Sequence, residues 1–369
     1  MSKQKKLSNF KRREFFAYEF LNQNKVKFQK NVKLNVLEKL LNKFPNNEFF
    51  VEMKINFILN IMWHFDYINN YLEDPKNLQH TIDQLYYTAC IYNNFRKSNW
   101  INDNKISKKS LNRWDRTRHA FNYMWTRTTK KNSYNMSKKM VEPRVKQIIS
   151  MFPGGSKWIK DKTILDSGCG PARYIDCISS YNPKSIHGLD SGADIIKQNK
   201  IKFKSRKKIS FSVGNFKKLK FKNSSFDFIF SVGVLHHCEV PIKKLMDEHI
   251  RVLKNNGMFF VFIQSSGGLQ LKLWKFFRSI MRSIDISYVE SFLKNKINPL
   301  RIQGFLDHSY GELQPIKRID FEKYLKKNFK IIKRVPGIQG ADVTPEIYKK
   351  DKFYKQRFGD GNLRYLLTK

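Results

Sequence analysis

The stretch ILDSGCGPARYI, Ile164 to Ile175, constrains this chain more than any other. An apolar run reaches two glycines, Gly168 and Gly170, and a helical pattern follows at once. Glycines at such a junction let the backbone turn tightly and approach a ligand with no side chain in between. A dinucleotide fingerprint would place a third glycine at 173; here the residue is Arg173. Asp190 ends the next β-type run, SIHGLD, 20 residues after Gly170. A carboxylate emerging at the carboxyl edge of a second strand can accept from both hydroxyls of a ribose. The competing reading is a strand-ending Asp that only caps the helix beginning GADII.

From Lys160 onward, short β-type runs alternate with helical ones: TILDSG, PARYIDCISSY, SIHGLD, GADIIKQNKIKF and KISFSVG. Further strands are expected at 225–232 and 257–264, with the helix VPIKKLMDEHIRVLK between them, and a late pair at 329–335 and 362–369 closes the set. Such alternation predicts an α/β fold, a doubly wound and mostly parallel sheet. Residues 1–108 read instead as an all-helical domain. NVKLNVLEKLLNKF puts Val32, Val36, Leu37, Leu40, Leu41 and Phe44 on one face, and a second helix at 49–72 carries Trp63, Phe65 and Tyr67, read as core, with His64 satisfied or at the surface. A polar connector is expected over 98–110. The second domain then spans 109–369, with a helical cap at 109–160 and a lid-like insertion at 267–312.

The segment from about Lys160 to the end resembles the class I S-adenosylmethionine-dependent methyltransferases. LDSGCGPAR is similar to that family's glycine motif, GLDSG to its ribose-binding acidic loop, and the run from FSVGNF through SFDFIFSVGVLHH to RVLKNNGMFFVFI to its central part. The nearest subgroup is the ubiquinone/menaquinone-biosynthesis type together with natural-product and small-molecule enzymes. The resemblance implies a seven-stranded Rossmann-like sheet and S-adenosyl-L-methionine as cofactor. It implies that Asp166, Gly168 and Gly170 cradle the methionine part, that Asp190 holds the ribose, that Asn215 and Phe216 sit by the adenine, and that Ser191 and Val232 also belong to the cofactor site. Ala172 stands where many members have Gly, and Asn215 where many have Asp, which weakens a charge-assisted bond to the adenine amino group by roughly 1 kcal/mol.

SVGVLHHCEV, Ser231 to Val240, leaves the fourth strand on the side where open α/β sheets bind ligands. Three adjacent residues cannot easily converge on one ion and no second Cys/His cluster completes a set of four, so no metal is expected. Cys238 lacks the Pro-Cys setting of cytosine-C5 methyltransferases. His236, ahead of His237, is the expected group to orient or deprotonate an acceptor, a neutral imidazole suiting that task near pH 7; a packing role in a helix-entry loop is the alternative. Within the insertion, LKLWKFFRSIMRSI sets Leu273, Trp274, Phe277, Ile280, Met281 and Ile284 on one face and Lys272, Lys275, Arg278, Ser279 and Arg282 opposite. Lid, packing helix and membrane-surface helix all suit it. His308 and Tyr310, in a segment resembling the one that closes over the substrate in this subgroup, are acceptor-side expectations.

The chain has 71 Lys and Arg against 31 acidic residues, a net charge of +40. Such a field attracts polyanions; it also follows from a general Lys/Asn/Ile/Phe bias. Aromatic and basic residues interleave in LNRWDRTRHAFNYMWTRTTKK, a pattern for clamping nucleic acid or for an amphipathic helix laying Trp114, Phe121 and Trp125 on a neighbouring surface, the reading preferred. Cys90, Cys169, Cys177 and Cys238 form no CxxC pair, and neither a signal peptide nor a membrane span is legible, so a cytoplasmic protein with reduced thiols is expected. The leading function is methyl transfer to O or C of a small-molecule, sugar or lipid-linked acceptor, with peripheral membrane contact allowed. An RNA/DNA methyltransferase using the basic N-terminal flanks and a non-catalytic cofactor-binding scaffold remain as alternatives, and the oligomeric state is open.

Overall fold

The computed structural model describes residues 26–95, 111–127 and 131–369. The connector expected over 98–110 and the start of the helical region lie outside these. The chain divides into two compact units, residues 1–108 with 279–292, and 109–278 with 293–369.

The first unit contains α1 (Leu34–Leu41), α2 (Glu48–Tyr71) and α3 (Leu78–Phe95). Leu37 and Leu41 bury the inner face of α1, while Val36, expected on that face, is exposed. Asn47 caps α2 by accepting the Phe50 N–H at 3.0 Å, meeting one of the donors a helix start leaves unpaired. Val51, Ile55, Ile58 and Phe65 are buried along α2, but Trp63 and Tyr67, read as core, are about half exposed. Their positions fall on the side of the helix away from that apolar row. His64 is satisfied through Nδ1 by Thr81 Oγ1 at 2.5 Å.

The second unit opens with α4 (Arg113–Arg127) and α5 (Lys131–Ser150), then runs β1 (Thr163–Ser167), α6 (Arg173–Ile178), β2 (Ser185–Asp190), α7 (Ala193–Lys202), β3 (Ile209–Val213), β4 (Phe226–Val232), α8 (Ile242–Val252) and β5 (Leu253–Gln264). The insertion forms three helices, α9 (Gly268–Met281), α10 (Ile286–Leu293) and α11 (Pro299–Tyr310), of which the end of α9 and nearly all of α10 belong to the first unit; α12 (Arg318–Asn328), β6 (Ile331–Arg334), α13 (Tyr354–Phe358) and β7 (Asn362–Thr368) follow. The seven strands form one sheet in the order β3-β2-β1-β4-β5-β7-β6. All pairs are parallel except those of β7, which is antiparallel to β5 and β6.

Helices cover both faces, so the central strands read as continuous apolar runs rather than alternating ones. Within them successive side chains still go to opposite sides. Ile164, Phe228, Phe230 and Phe260 join one core with Val141, Val145 and Ile175. Leu165, Ile229, Phe259 and Val261 join the other with Leu245, Met246, Phe321 and Leu325. Strand β5 begins four residues before the expected 257, because Leu253 already pairs with Phe226.

Charge also enters this interior. Asp342, fully buried, receives Arg364 at 2.9 Å and Arg144 at 2.9 Å, and Arg357 pairs with Asp351 with both side chains out of solvent. Removing one member of such a pair strands the other charge in a poor dielectric. Asp342→Asn should therefore lower the unfolding free energy by about 3 kcal/mol or more, read from urea denaturation; a change within experimental error would mean the two guanidinium groups do not depend on it.

Candidate active site

The glycine loop is held by the end of the neighbouring strand. Because β1 and β2 are parallel and in register, with Asp166 opposite Gly188, Leu189 reaches the loop, and its carbonyl accepts from Gly168 N at 2.8 Å and Cys169 N at 3.0 Å. Gly170 N donates to Asp190 Oδ2 and Gly192 N to Asp190 Oδ1, both at 2.9 Å. Asn199 of α7 donates to the Gly170 carbonyl at 2.7 Å. The loop backbone has φ of +92° at Gly168, +46° at Gly170 and +61° at Ala172. At Gly168 a side chain is excluded twice over, since a Cβ there would lie 2.2 Å from Val234 Cγ2.

Above this loop is a cavity of about 280 Å³ at the carboxyl ends of β1, β2 and β4. Asp166, Gly168, Gly170, Asp190, Ser191, Asn215, Phe216, Val232 and His237 all line it. His236, His308 and Tyr310 are not among its lining residues. Cys238 and Glu239 of the SVGVLHHCEV stretch line it too, and so do residues that sequence reasoning did not bring to the cavity: Trp114, Thr117, Arg118, Phe121 and Trp125 from α4, together with Arg173. The aromatic spacing of α4 was the available signal; what it could not convey is that the neighbouring surface is the mouth of the glycine loop.

The two adjacent histidines have different fates. His236 is buried, and its Nδ1 accepts the Gln264 N–H at 3.2 Å, so that nitrogen carries no proton and is committed to the end of β5. Desolvation holds the ring well below the usual histidine range. The preference for His236 as the group facing the acceptor is thus corrected: the ring packs behind the cavity. His237 lines the cavity and donates Nδ1–H to the Glu312 carbonyl at 2.6 Å. Its Nε2 is then the unprotonated nitrogen and has no hydrogen-bond partner among the described residues. Phe121 meets the ring edge-on at 4.6 Å, and burial pushes its pKa down to about 4. Residues 311–314 hold this loop: Gln314 N donates to the His236 carbonyl at 2.7 Å, and Gln314 Nε2 to those of Cys238 and Glu239 at 2.8 and 2.6 Å.

His308 stacks on Trp274 at 4.2 Å, and burial lowers its pKa to about 3. It serves packing between α9 and α11. Arg278, expected on the polar face of α9, is mostly buried and donates to the Gly311 carbonyl at 3.2 Å. Tyr310 is also buried. Asn215 lines the cavity, but its Oδ1 accepts from Lys217 N and Lys218 N, both at 3.1 Å; both lone pairs are used, which leaves an amide donor for a ligand. Burial pushes the Cys238 thiol up to about 12, so it is not a nucleophile near pH 7.

Residues 165–261 are a methyltransferase domain. A family model described as a methyltransferase domain matches residues 165–261, the span from the glycine loop through β5. Over 92 residues the chain is 36% identical to a tRNA U34 carboxymethyltransferase of Helicobacter pylori (strain P12), covering 24% of this chain and 35% of that protein. It is 32% identical over 110 residues to an uncharacterised protein of Methanocaldococcus jannaschii, covering 30% and 44%. The chain thus spans about a third of the length of the first of these relatives. Solved structures similar to it include an S-adenosylmethionine-dependent methyltransferase from Mesorhizobium loti (14% identity, TM-score 0.39, 62% of this chain and 96% of that one). Another is geranyl diphosphate methyltransferase in complex with S-adenosylmethionine (11% identity, TM-score 0.38, 62% and 84%). Among the described residues no helix is long and apolar enough to cross a membrane.

A cofactor with a cationic amino-acid end would fit the polar groups of this loop. Asp166 is buried, and its Oδ2 has no hydrogen-bond partner in the protein, an orphan that a ligand ammonium would satisfy. Asp190 accepts backbone N–H groups through both oxygens, and a carboxylate so held would still have lone pairs to offer ligand hydroxyls.

Two outcomes test this geometry. Gly168→Ala should destabilise the protein and abolish cofactor binding, whereas Gly170→Ala, whose Cβ would meet only the Trp125 ring at 3.7 Å, costs about 1–2 kcal/mol of backbone strain. Pairing Gly168→Ala with Val234→Ala should recover part of the thermal stability; no recovery would place the cost elsewhere. The second concerns His249, which donates Nδ1–H to Leu245 O at 2.6 Å, pairs through Nε2 with Ser167 Oγ at 2.7 Å, and has its pKa lowered to about 4 by burial. Its neutral form is what the fold holds, so its contribution is complete above pH 6.5 and is lost as pH falls toward 4. The stability gap between wild type and His249→Gln should narrow over that window.

Proposed function

We propose that the chain is an S-adenosyl-L-methionine-dependent methyltransferase that methylates a protic oxygen, or an acidic carbon, of a small-molecule, sugar or lipid-linked acceptor. One observation carries this reading: the glycine loop, Asp190 and the free Nε2 of a neutral His237 line a single cavity at the carboxyl edge of the sheet.

When bound, S-adenosylmethionine supplies a methyl group on a sulfonium, which already leaves well. The protein's part is therefore alignment and exclusion of water. Asp166 answers the ammonium, Asp190 and Ser191 the ribose, and Phe216 with Val232 gives the apolar wall beside the adenine. The α4 side chains Trp114, Phe121 and Trp125 narrow the acceptor end. His237 takes the acceptor's proton at Nε2 while Glu312 O holds the opposite N–H, so tautomer and ring plane are set before the acceptor arrives.

RNA is the second reading, favoured by the match to tRNA-modifying relatives over this same domain and by the basic N-terminal flanks. Labelled methyl transfer from S-adenosylmethionine into cell extract, fractionated into lipid, small-molecule, protein and nucleic-acid pools, separates the two. Label in lipid or small molecules supports the first; nuclease-sensitive label supports RNA or DNA. No transfer alongside intact cofactor binding would favour the scaffold.

His237→Ala should slow transfer by about 10²-fold or more with cofactor affinity unchanged. The base form dominates above about pH 4, so the wild-type rate should not titrate through this group between pH 5 and 8 and should fall only as pH approaches 4. Full turnover in His237→Ala would remove the base assignment.

A further inference from the structure

Trp63 and Tyr67, which the sequence pattern assigns to the core of the helical unit, are instead 47% and 48% exposed, and Tyr71, one turn further along α2, is 67% exposed. Phe28 and Phe49 of the same unit are exposed as well. Among the described residues, no aromatic side chain outside this unit is exposed. Single exposed rings are ordinary on a protein surface; a row of them is not. Residues 63, 67 and 71 recur every four positions, so they share one side of the helix and step along it by about 6 Å.

The row adjoins a groove of about 550 Å³ lined from both α2 and α3. Trp63 and Tyr87 supply its rings, and Asn60, Thr81, Gln84 and Thr88 its polar groups. Those polar groups have capacity to spare. Asn60 donates Nδ2 to the Asn56 carbonyl at 2.8 Å, which leaves Oδ1 to accept; Thr88 donates its hydroxyl to the Gln84 carbonyl at 2.9 Å, and its oxygen can still accept. The Gln84 side chain is exposed and makes no hydrogen bond among the described residues. His64, tied to Thr81 through Nδ1, has its other ring nitrogen without a hydrogen bond among them.

Charge decides what can lie here. Helix α3 contains no Lys or Arg, and the one Lys of α2, Lys54, is buried. In a chain with 71 basic residues, these two helices therefore present no cation to solvent. Nucleic acids and anionic lipid surfaces are held by Lys and Arg, so both are disfavoured. No carboxylate lines the groove, which leaves a cationic ligand without a counter-charge. A protein partner needs an apolar centre that excludes water, whereas here amides and hydroxyls stand among the rings. A neutral sugar has the complementary surface. Its axial C–H groups suit the negative face of an aromatic ring, and its equatorial hydroxyls reach amide and hydroxyl partners at the edge. Sugars joined through equatorial oxygens form a straight chain, as the rings on one helix form a straight row.

We propose that this face of the helical unit, the Trp63, Tyr67 and Tyr71 row with its adjoining groove, is a binding site for a neutral, extended oligosaccharide. The inference stands apart from the methyltransferase reading, since every residue in it belongs to the first unit.

The test is calorimetry on the full-length protein without cofactor, using cellohexaose, chitohexaose, the disaccharide of each, and a single-stranded oligothymidylate as probes. At least one hexamer should bind, about 5-fold or more tighter than its disaccharide because the longer chain reaches further rings, and tighter than the oligothymidylate. Trp63→Ala should weaken the hexamer by about 5-fold or more with S-adenosylmethionine affinity unchanged. Should that variant fail to fold, Tyr71→Ala, at the most exposed ring, is the second, with a loss of about 3-fold.

Failure of wild type to bind either hexamer overturns the site, and so does equal affinity for hexamer and disaccharide. Unchanged hexamer binding in the two variants removes the aromatic row from it. Tighter binding of the oligothymidylate, lost in the same variants, would replace the sugar with stacked bases. None of these results bears on the cofactor cavity, which is read separately from S-adenosylmethionine binding.

Discussion

The site depends on how one strand end grips its neighbour's loop. The Leu189 carbonyl accepts two successive N–H groups from the glycine turn, and the next residue, Asp190, clamps a third donor from Gly170 with its carboxylate. This is possible only because β1 and β2 lie side by side in parallel register. It also requires close packing beneath: a Cβ at Gly188 would fall 2.6 Å from a Phe211 ring carbon and 2.8 Å from Ile175 Cδ1. The loop's open backbone, the depth of Asp166 and the direction from which a ligand must enter all follow from that junction.

Neutral imidazoles do the corresponding work on the other side of the cavity. His249 ties Ser167, the last residue of β1, to α8 and stacks on Phe259 at 5.3 Å. His236 receives the backbone of Gln264, and His237 is fixed by Glu312. His249 donates from one nitrogen to Leu245 and uses the proton-free other toward Ser167, an arrangement an imidazolium could not make. Desolvation keeps them in that form, so the same burial that secures the strand ends also leaves one nitrogen unprotonated inside the cavity.

Much of this was legible because it is local. Two glycines after an apolar run, an Asp at the end of the next strand and the β-α alternation are encoded within about 30 residues, the size of a βαβ unit, and the seven expected strands are those of the sheet. The choice between His236 and His237 was not legible. Adjacent residues at a strand exit differ only in which way they turn, and that is decided by Gln264 and residues 312–314, far away in sequence. The same holds for His308, whose partner Trp274 belongs to another helix, and for Arg278, which a helical wheel puts in water and the fold puts against Gly311 and Glu312. A wheel drawn for one helix carries no information about a second element packed on its polar side.

Net charge tells least where chemistry would occur. The chain has more than twice as many basic as acidic residues, yet the charged residues lining the cavity are balanced: Arg118, Arg173 and Lys217 against Asp166, Asp190 and Glu239. Arg118 is further paired with Asp115. A wall built to hold a polyanion would concentrate one sign, since its affinity comes from neutralising successive phosphates. A balanced wall suits a ligand that carries both signs, as an amino-acid sulfonium does. An RNA acceptor would therefore have to be held by basic surfaces beyond this cavity, with only the reacting group admitted past α4. The excess charge and the chemistry are thus separable properties, and substitutions that change one need not change the other.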